Sequence, residues 1–184
     1  MKEKGNANRI NQPASRPAVE KPVARVLSTR LGRLREMKPR KMCAAIANQV
    51  VRDGIEKGLE KLSEAERNVF FAVDLNGEIL NGGISQYFTN SSGRDYKQAL
   101  AALRTIGAKA QERIVLNWLK NLPPHVHPDN RNEVGRYVFA DPLLIAKLQG
   151  YDKEYFNSVE TFYGAVLNYV DKNLESFKIE IEKT

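Results

Sequence analysis

Apolar residues recur at helical spacing along most of this chain. Val23, Val26, Leu27, Leu31 and Leu34 fall at intervals of 3, 1, 4 and 3, which places them on one helix face. Gly32 weakens that helix by ~1 kcal/mol relative to Ala. Pro39 ends it, because the residue before a proline avoids the α region. Met42, Ala45, Ile46 and Val50 open a second stripe, predicted to continue through Ile55, Leu59 and Leu62. Gly54 and Gly58 mark a kink or a close helix contact. Ser63 and Glu66 have capping-box spacing, so a helix is predicted to start at Glu64. Val69, Phe70, Val73 and Leu80 give it a broad buried face. Asn81-Gly82-Gly83 then stops it, since glycine adopts positive φ after a helix end.

Ile84 to Phe88 reads as a short helical piece. Asn90, Ser91 and Ser92 are turn residues, and Gly93 permits a sharp bend. Tyr96, Leu100, Leu103 and Ile106, with Ala99 and Ala102 alongside, form an amphipathic helix ended by Gly107. Ile114, Leu116, Trp118 and Leu119 belong to the next helix, which stops near Pro123-Pro124. Residues 121–136 are polar and proline-bearing, and read as a surface loop. Leu143 to Leu148 reads as a short helix. Tyr155, Val159, Phe162, Val166 and Tyr169 recur at 4, 3, 4 and 3, the strongest stripe in the chain. Sustained alternation occurs only from Phe177 to Glu182, as a short strand or a frayed helix. The expected fold class is all-α: a compact multi-helix domain over residues 42–184, its helix pairs packed on one core. Residues 1–41 form a basic, largely extended N-terminal arm, disordered or partly helical.

Charge sharpens that division. Residues 1–42 carry 12 Lys and Arg against 3 Glu, a net of +9, while residues 43–184 carry 17 against 19, a net of −2. A basic arm on a slightly acidic body is the pattern of an interaction tail. Arg25, Arg30, Arg33, Arg35, Lys38, Arg40 and Lys41 are the candidate contacts to nucleic acid or to an acidic partner. The phosphate backbone rewards such cations in a salt-dependent way. A membrane surface or a presequence is the second reading of the arm, and a solvated tail without a specific role is the third. The apolar runs are far short of the roughly 20 residues that span a bilayer. No apolar segment follows the N-terminal lysines, so no secretory signal is expected. Cys43 stands alone, which suits a reducing compartment and a cytoplasmic protein.

Chemistry is sparse. Cys43 has no neighbouring His and reads as a small buried residue. His125, His127 and Asp129 lie at loop spacing, but no Cys or further His completes a metal site, so a solvated loop is expected. Asp74 and Glu78 are four apart on one helix face. A general acid–base pair requires environments that push two pKa values apart, and the sequence shows none. Gly82-Gly83 follows a helix, and no phosphate-binding glycine motif is present. Phe88 is expected in the core and Tyr87 half-buried, with Asn81 and Asn90 on backbone groups around the bend. Direct binding by Tyr87 or Asn90 is the functional alternative. No cofactor is expected.

The stretch LNGEILNGGISQYFTNSSGRDYKQALAALRTIGA resembles the core motif of the DNA-mimic protein family, a group of small helical bacterial proteins sharing a domain of unknown function. Asn81, Gly82, Gly83, Gln86, Tyr87, Phe88, Asn90, Ser91, Ser92 and Gly93 carry the resemblance, with Ala99, Leu100, Ile106, Gly107 and Ala108 after them. A weaker likeness extends from about Met42 to Asn173, including the DKEYF segment and Tyr169. The resemblance implies an all-helical, non-enzymatic protein, and a named member imitates the charge of duplex DNA. Mimicry needs acids arrayed over a large face, whereas this body is −2 and its arm would repel a basic partner. No one-sided cluster of acids with duplex-like spacing is therefore expected. The leading expectation is a helical domain that engages a protein partner, with the arm on nucleic acid or an acidic surface. A DNA-mimic regulator or toxin-neutralising protein is one alternative. An enzyme using polar residues around the glycine bend is the other. Oligomeric state is left open.

Overall fold

The computed structural model describes residues 39–177, with Pro39, Ser91 and Ser92 described by their backbone alone. The Val23–Leu34 stripe, the cations Arg25, Arg30, Arg33, Arg35 and Lys38, and all but the first residue of the Phe177–Glu182 alternation lie outside the described residues. Within them every long element is a helix: α1 Pro39–Lys57, α2 Glu64–Thr89, α3 Tyr96–Ile106, α4 Lys109–Leu119, α5 Arg131–Val138, α6 Pro142–Asn157 and α7 Val159–Lys172. Short 3₁₀ turns at Leu59–Lys61, Ser91–Asp95 and Leu174–Ser176 join or follow them. The all-α expectation holds.

Helix α2 is the central element, with α1, α3, α5 and α6 all packed against it. It starts where the capping box placed it. Ser63 Oγ accepts from the Glu66 N–H at 3.1 Å, and Glu66 Oε2 accepts from the Ser63 N–H at 2.8 Å. Its buried face is Ala65, Val69, Ala72, Leu75, Asn76 and Ile79, while Phe70 and Val73 are half-buried and Leu80 is 38% exposed. Leu80 thus does not belong to the face the sequence assigned it.

In α1 the buried line runs through Cys43, Ile46, Val50 and Asp53. Ala45 is exposed and Ile55 is 74% exposed, which corrects the stripe expected through them. At 100° per residue, Ile55 stands roughly 140° around the helix from Val50. The helix also ends at Lys57, so Leu59 and Leu62 continue the chain rather than the stripe. Gly54 marks the close contact: a Cβ there would lie 2.8 Å from the Phe70 ring.

Helix α3 ends in a left-handed Gly107 (φ 83°), and the Ala108 N–H returns to the Leu103 carbonyl at 2.8 Å. The segment 121–136 is not wholly a loop, because α5 begins at Arg131. Asn130 caps it through the Asn132 and Glu133 amides, and Val134 and Val138 bury one face. Two apolar anchors are too few to show as a period. Helix α6 is longer than the expected Leu143–Leu148 piece. Asp141 caps it at the Leu143 N–H (2.8 Å), Pro142 occupies its first position, and its buried anchors Leu148 and Tyr155 are seven residues apart. Ser158 divides the strongest stripe between two helices, with Tyr155 on α6 and the rest on α7.

Candidate functional site

The Asn81–Gly93 signature builds a break in α2. Gly82 has φ −158° and ψ 17°, and Gly83 has φ 86° and ψ 172°. Gly83 lies in the region that favours glycine, because a Cβ there crowds the backbone. The break deprives the Ile84 N–H of a carbonyl one turn back. Asp152, arriving on α6, accepts from it at 2.8 Å. A carboxylate from another helix therefore caps the second half of α2, where the partial positive charge of a helix N-terminus favours an anion. A Cβ on Gly83 would lie 2.7 Å from the Asp152 carboxylate, so both backbone and packing demand glycine. At Gly82 the atoms nearest a Cβ are the amide end of Gln86, a flexible group. Burial raises the Asp152 pKa above the ordinary carboxylate value, opposed by the Ile84 N–H bond.

Beyond the break, Ile84, Tyr87 and Phe88 return to the core. Phe88 stacks on Trp118 with ring centroids 4.7 Å apart, and Tyr96 meets it edge-on at 5.8 Å. The Asn90 N–H closes the helix on the Gln86 carbonyl at 2.9 Å. The Asn90 side chain donates to the Glu78 carboxylate, spanning the break from the far side. Expected on backbone groups, Asn90 instead holds a side chain, and Asn81 is exposed. Ser91 and Ser92 open the 3₁₀ turn. Gly93 is buried against the backbone of residues 87 and 88. A Cβ there would lie 2.9 Å from both Phe88 Cα and the Tyr87 carbonyl oxygen. Its φ is not positive, so close approach rather than a bend is the reason for glycine.

Electrostatics argue for structural roles. Tyr87 is fully buried rather than half-buried. Its hydroxyl is pushed well above the ordinary value, first by burial and then by the carboxylates of Asp74, Asp95 and Glu78. A phenol so placed stays protonated and is not poised to act as a base. Tyr155, raised by burial first, donates to Asn76 Oδ1 at 3.3 Å. Burial pushes the Cys43 thiol up to about 12, which leaves it without the thiolate character that reactive cysteines need.

The structure thus gathers Asp74, Glu78 and Tyr87 and leaves Asn81 outside. Arg40 and Lys41 are exposed in the first turn of α1. His127 binds Glu133, its backbone N–H at 2.9 Å and Nδ1 at 2.8 Å from the same carboxylate oxygen. Among the described residues no group of His, Cys, Asp and Glu is arranged to hold a metal ion.

Sequence reasoning missed three polar anchors. Asp152 caps the break, Asn76 holds Tyr155, and Gln111 Nε2 donates to the Ser158 carbonyl at 2.7 Å and to its hydroxyl at 3.0 Å. Only the DKEYF likeness hinted at Asp152; the other two pair across 79 and 47 residues.

The family model for DMP19-like protein matches residues 60–173, which takes in α2 to α7 and the whole signature. No match was found among curated proteins or among solved structures. A match over more than half of its length places this chain in the DMP19-like protein family.

Proposed function

We propose that the protein is a non-enzymatic interaction protein of the cytoplasm. Its helical domain binds a protein partner, and its arm contacts nucleic acid or an acidic partner through Arg25, Arg30, Arg33, Arg35, Lys38, Arg40 and Lys41. The observation that carries the reading is a contrast. The polar groups at the glycine break are engaged in holding the fold, whereas large apolar side chains stand in solvent elsewhere. Phe139, at the end of α5, is 59% exposed, and Leu143, in the first turn of α6, is 80% exposed. With exposed Ala140, Asp141 and Pro142 between them, they form a corner of apolar side chains around one helix-capping carboxylate, suited to a protein surface. The +9 arm supplies the second contact. Among the described residues no helix is long and apolar enough to cross a membrane.

A DNA-mimic role is the second reading, supported by the family. Five of the carboxylates weigh against it. Glu78 is bound to Asn90, Asp152 to Ile84, Glu112 to Arg104, Glu154 to Arg113 and Asp53 to Lys57. Carboxylates held by donors within the chain do not offer bare charge to a basic partner. A toxin-neutralising protein would use the same apolar corner. An enzyme at the break would need Tyr87 or the carboxylates to exchange protons with a substrate, and Tyr87 is closed off.

The test is in-cell crosslinking with quantitative capture. A specific protein recovered with the wild type should be lost from Phe139→Ser/Leu143→Ser and kept by Asp74→Asn/Glu78→Gln. Loss from the carboxylate variant with retention by the corner variant would overturn the assignment of the surface.

A further inference from the structure

A cleft of about 430 Å³ lies between the 3₁₀ turn Ser91–Asp95 and the start of α5, lined by Arg94, Asp129, Asn130 and Arg131. Two independent parts of the fold bring its arginines together. Gly93, pressed on the backbone of residues 87 and 88, fixes the turn that carries Arg94. Asn130, as the cap of α5, fixes the step before Arg131. Both guanidiniums are exposed, and among the described residues neither makes an ion pair. Like charges facing one cleft repel, so an anion between them relieves the repulsion. Guanidiniums are also the groups that grip phosphate through parallel N–H donors.

The remaining walls say more about the ligand. Asn130 Oδ1 is taken by the Asn132 and Glu133 amides and its Nδ2 by Glu133, so it contributes shape rather than chemistry. Asp129 brings a carboxylate beside the two cations. It would repel a bare phosphate and accept from a hydroxyl. The volume falls in the range of small-molecule sites and exceeds the need of a single phosphate. We propose that this cleft binds a phosphate monoester of a hydroxyl-bearing small molecule. Arg94 and Arg131 hold the phosphate and Asp129 holds a hydroxyl. The site shares no lining residue with the glycine break or the apolar corner.

Calorimetric titration of the full chain with inorganic phosphate, ribose 5-phosphate, adenosine 5′-monophosphate and ribose tests this. Both esters should bind saturably at one site, and ribose should not bind. A tighter nucleotide than sugar phosphate identifies a nucleotide source, and the reverse identifies a sugar source; either supports the site. Arg94→Gln and Arg131→Gln should each weaken the esters by about tenfold or more, as expected for loss of a charged hydrogen bond. Asp129→Asn should move the ligands in opposite directions, tightening inorganic phosphate and weakening the esters. Melting curves of these surface variants should match the wild type. A full chain with Arg25, Arg30, Arg33 and Arg35 changed to Gln should bind the esters unchanged. Absence of saturable binding, indifference to Arg94→Gln and Arg131→Gln, equal response of all ligands to Asp129→Asn, or loss of binding in the arm variant would each overturn the proposal.

Discussion

At the scale of single residues, Asp152 is the most informative side chain in the molecule. Its carboxylate completes a helix that its own helix does not contain, and burial raises its pKa. The raised value sets a sign. The folded state holds the proton more tightly than the unfolded chain, whose Asp titrates near ~3.9. That contribution to stability is fully present below the unfolded value and is lost as pH rises through the folded one. Asn keeps an acceptor for the Ile84 N–H and carries no charge. Asp152→Asn should therefore be at least as stable as the wild type at pH 7, with its relative advantage shrinking as pH falls toward 4. Asp152→Ala should lose about 1–2 kcal/mol at pH 7, because the amide is left unpaired. Chemical denaturation at both pH values checks this, and equal stability of the Ala variant would show that the cap contributes nothing.

The glycines separate in the same way. Gly83→Val faces a forbidden backbone region and the Asp152 carboxylate, and Gly93→Ala faces fixed backbone at 2.9 Å. Each should cost roughly 1–3 kcal/mol or more. Gly82→Ala first displaces the flexible end of Gln86 and should cost less than either. A ranking of melting temperatures with Gly82→Ala lowest would contradict the geometry. The sequence made Gly83 legible because a double glycine after a long apolar stripe has few other uses. It concealed the reason for Gly93, since close approach to a backbone six residues earlier leaves no local pattern.

At the scale of elements, what could be read depended on how much apolar surface each helix turns inward. Helix α3 repeats its anchors every turn and ends in Gly107, so both its face and its stop were readable. Helix α5 buries only Val134 and Val138, too few anchors to set it apart from the polar, proline-bearing segment before it. The division at Ser158 was invisible because apolar spacing continues across it. Gln111, reaching from α4 to the Ser158 carbonyl and hydroxyl, stabilises the break from outside. Capping was legible at Ser63 and Glu66, where a reciprocal pair within one turn precedes a long apolar stripe, whereas the equally local caps Asn130 and Asp141 precede helices with few buried anchors and were not. Ser63→Ala should destabilise the domain by about 1 kcal/mol, and restoring Thr should recover most of that. An unchanged midpoint in denaturant would show that packing alone positions the start of α2.

At the scale of the whole molecule, the parts divide the labour. The family signature builds the break in α2 and Asp152 of α6 caps it, the helical body exposes Phe139 and Leu143, and the basic arm carries the proposed contact to phosphate. The body's share of the charge was legible by counting. The convergence of Asp74, Glu78 and Asp95 on Tyr87 was not, because it joins residues from both sides of the break in α2 with one from the turn after it. A buried, protonated Tyr87 makes that convergence a structural feature.

The most direct test of the arm's role is fluorescence anisotropy with a labelled DNA duplex of arbitrary sequence. The full chain is compared with its Arg25, Arg30, Arg33 and Arg35 to Gln variant between about 50 and 200 mM salt. For about 6–10 phosphate contacts the wild-type affinity should fall by ~10³–10⁵ across that range, with little dependence on sequence. The variant should bind far more weakly at low salt and with a shallower salt slope. Equal affinity of the two proteins, or no binding by either at low salt, would contradict the nucleic-acid role assigned to the arm.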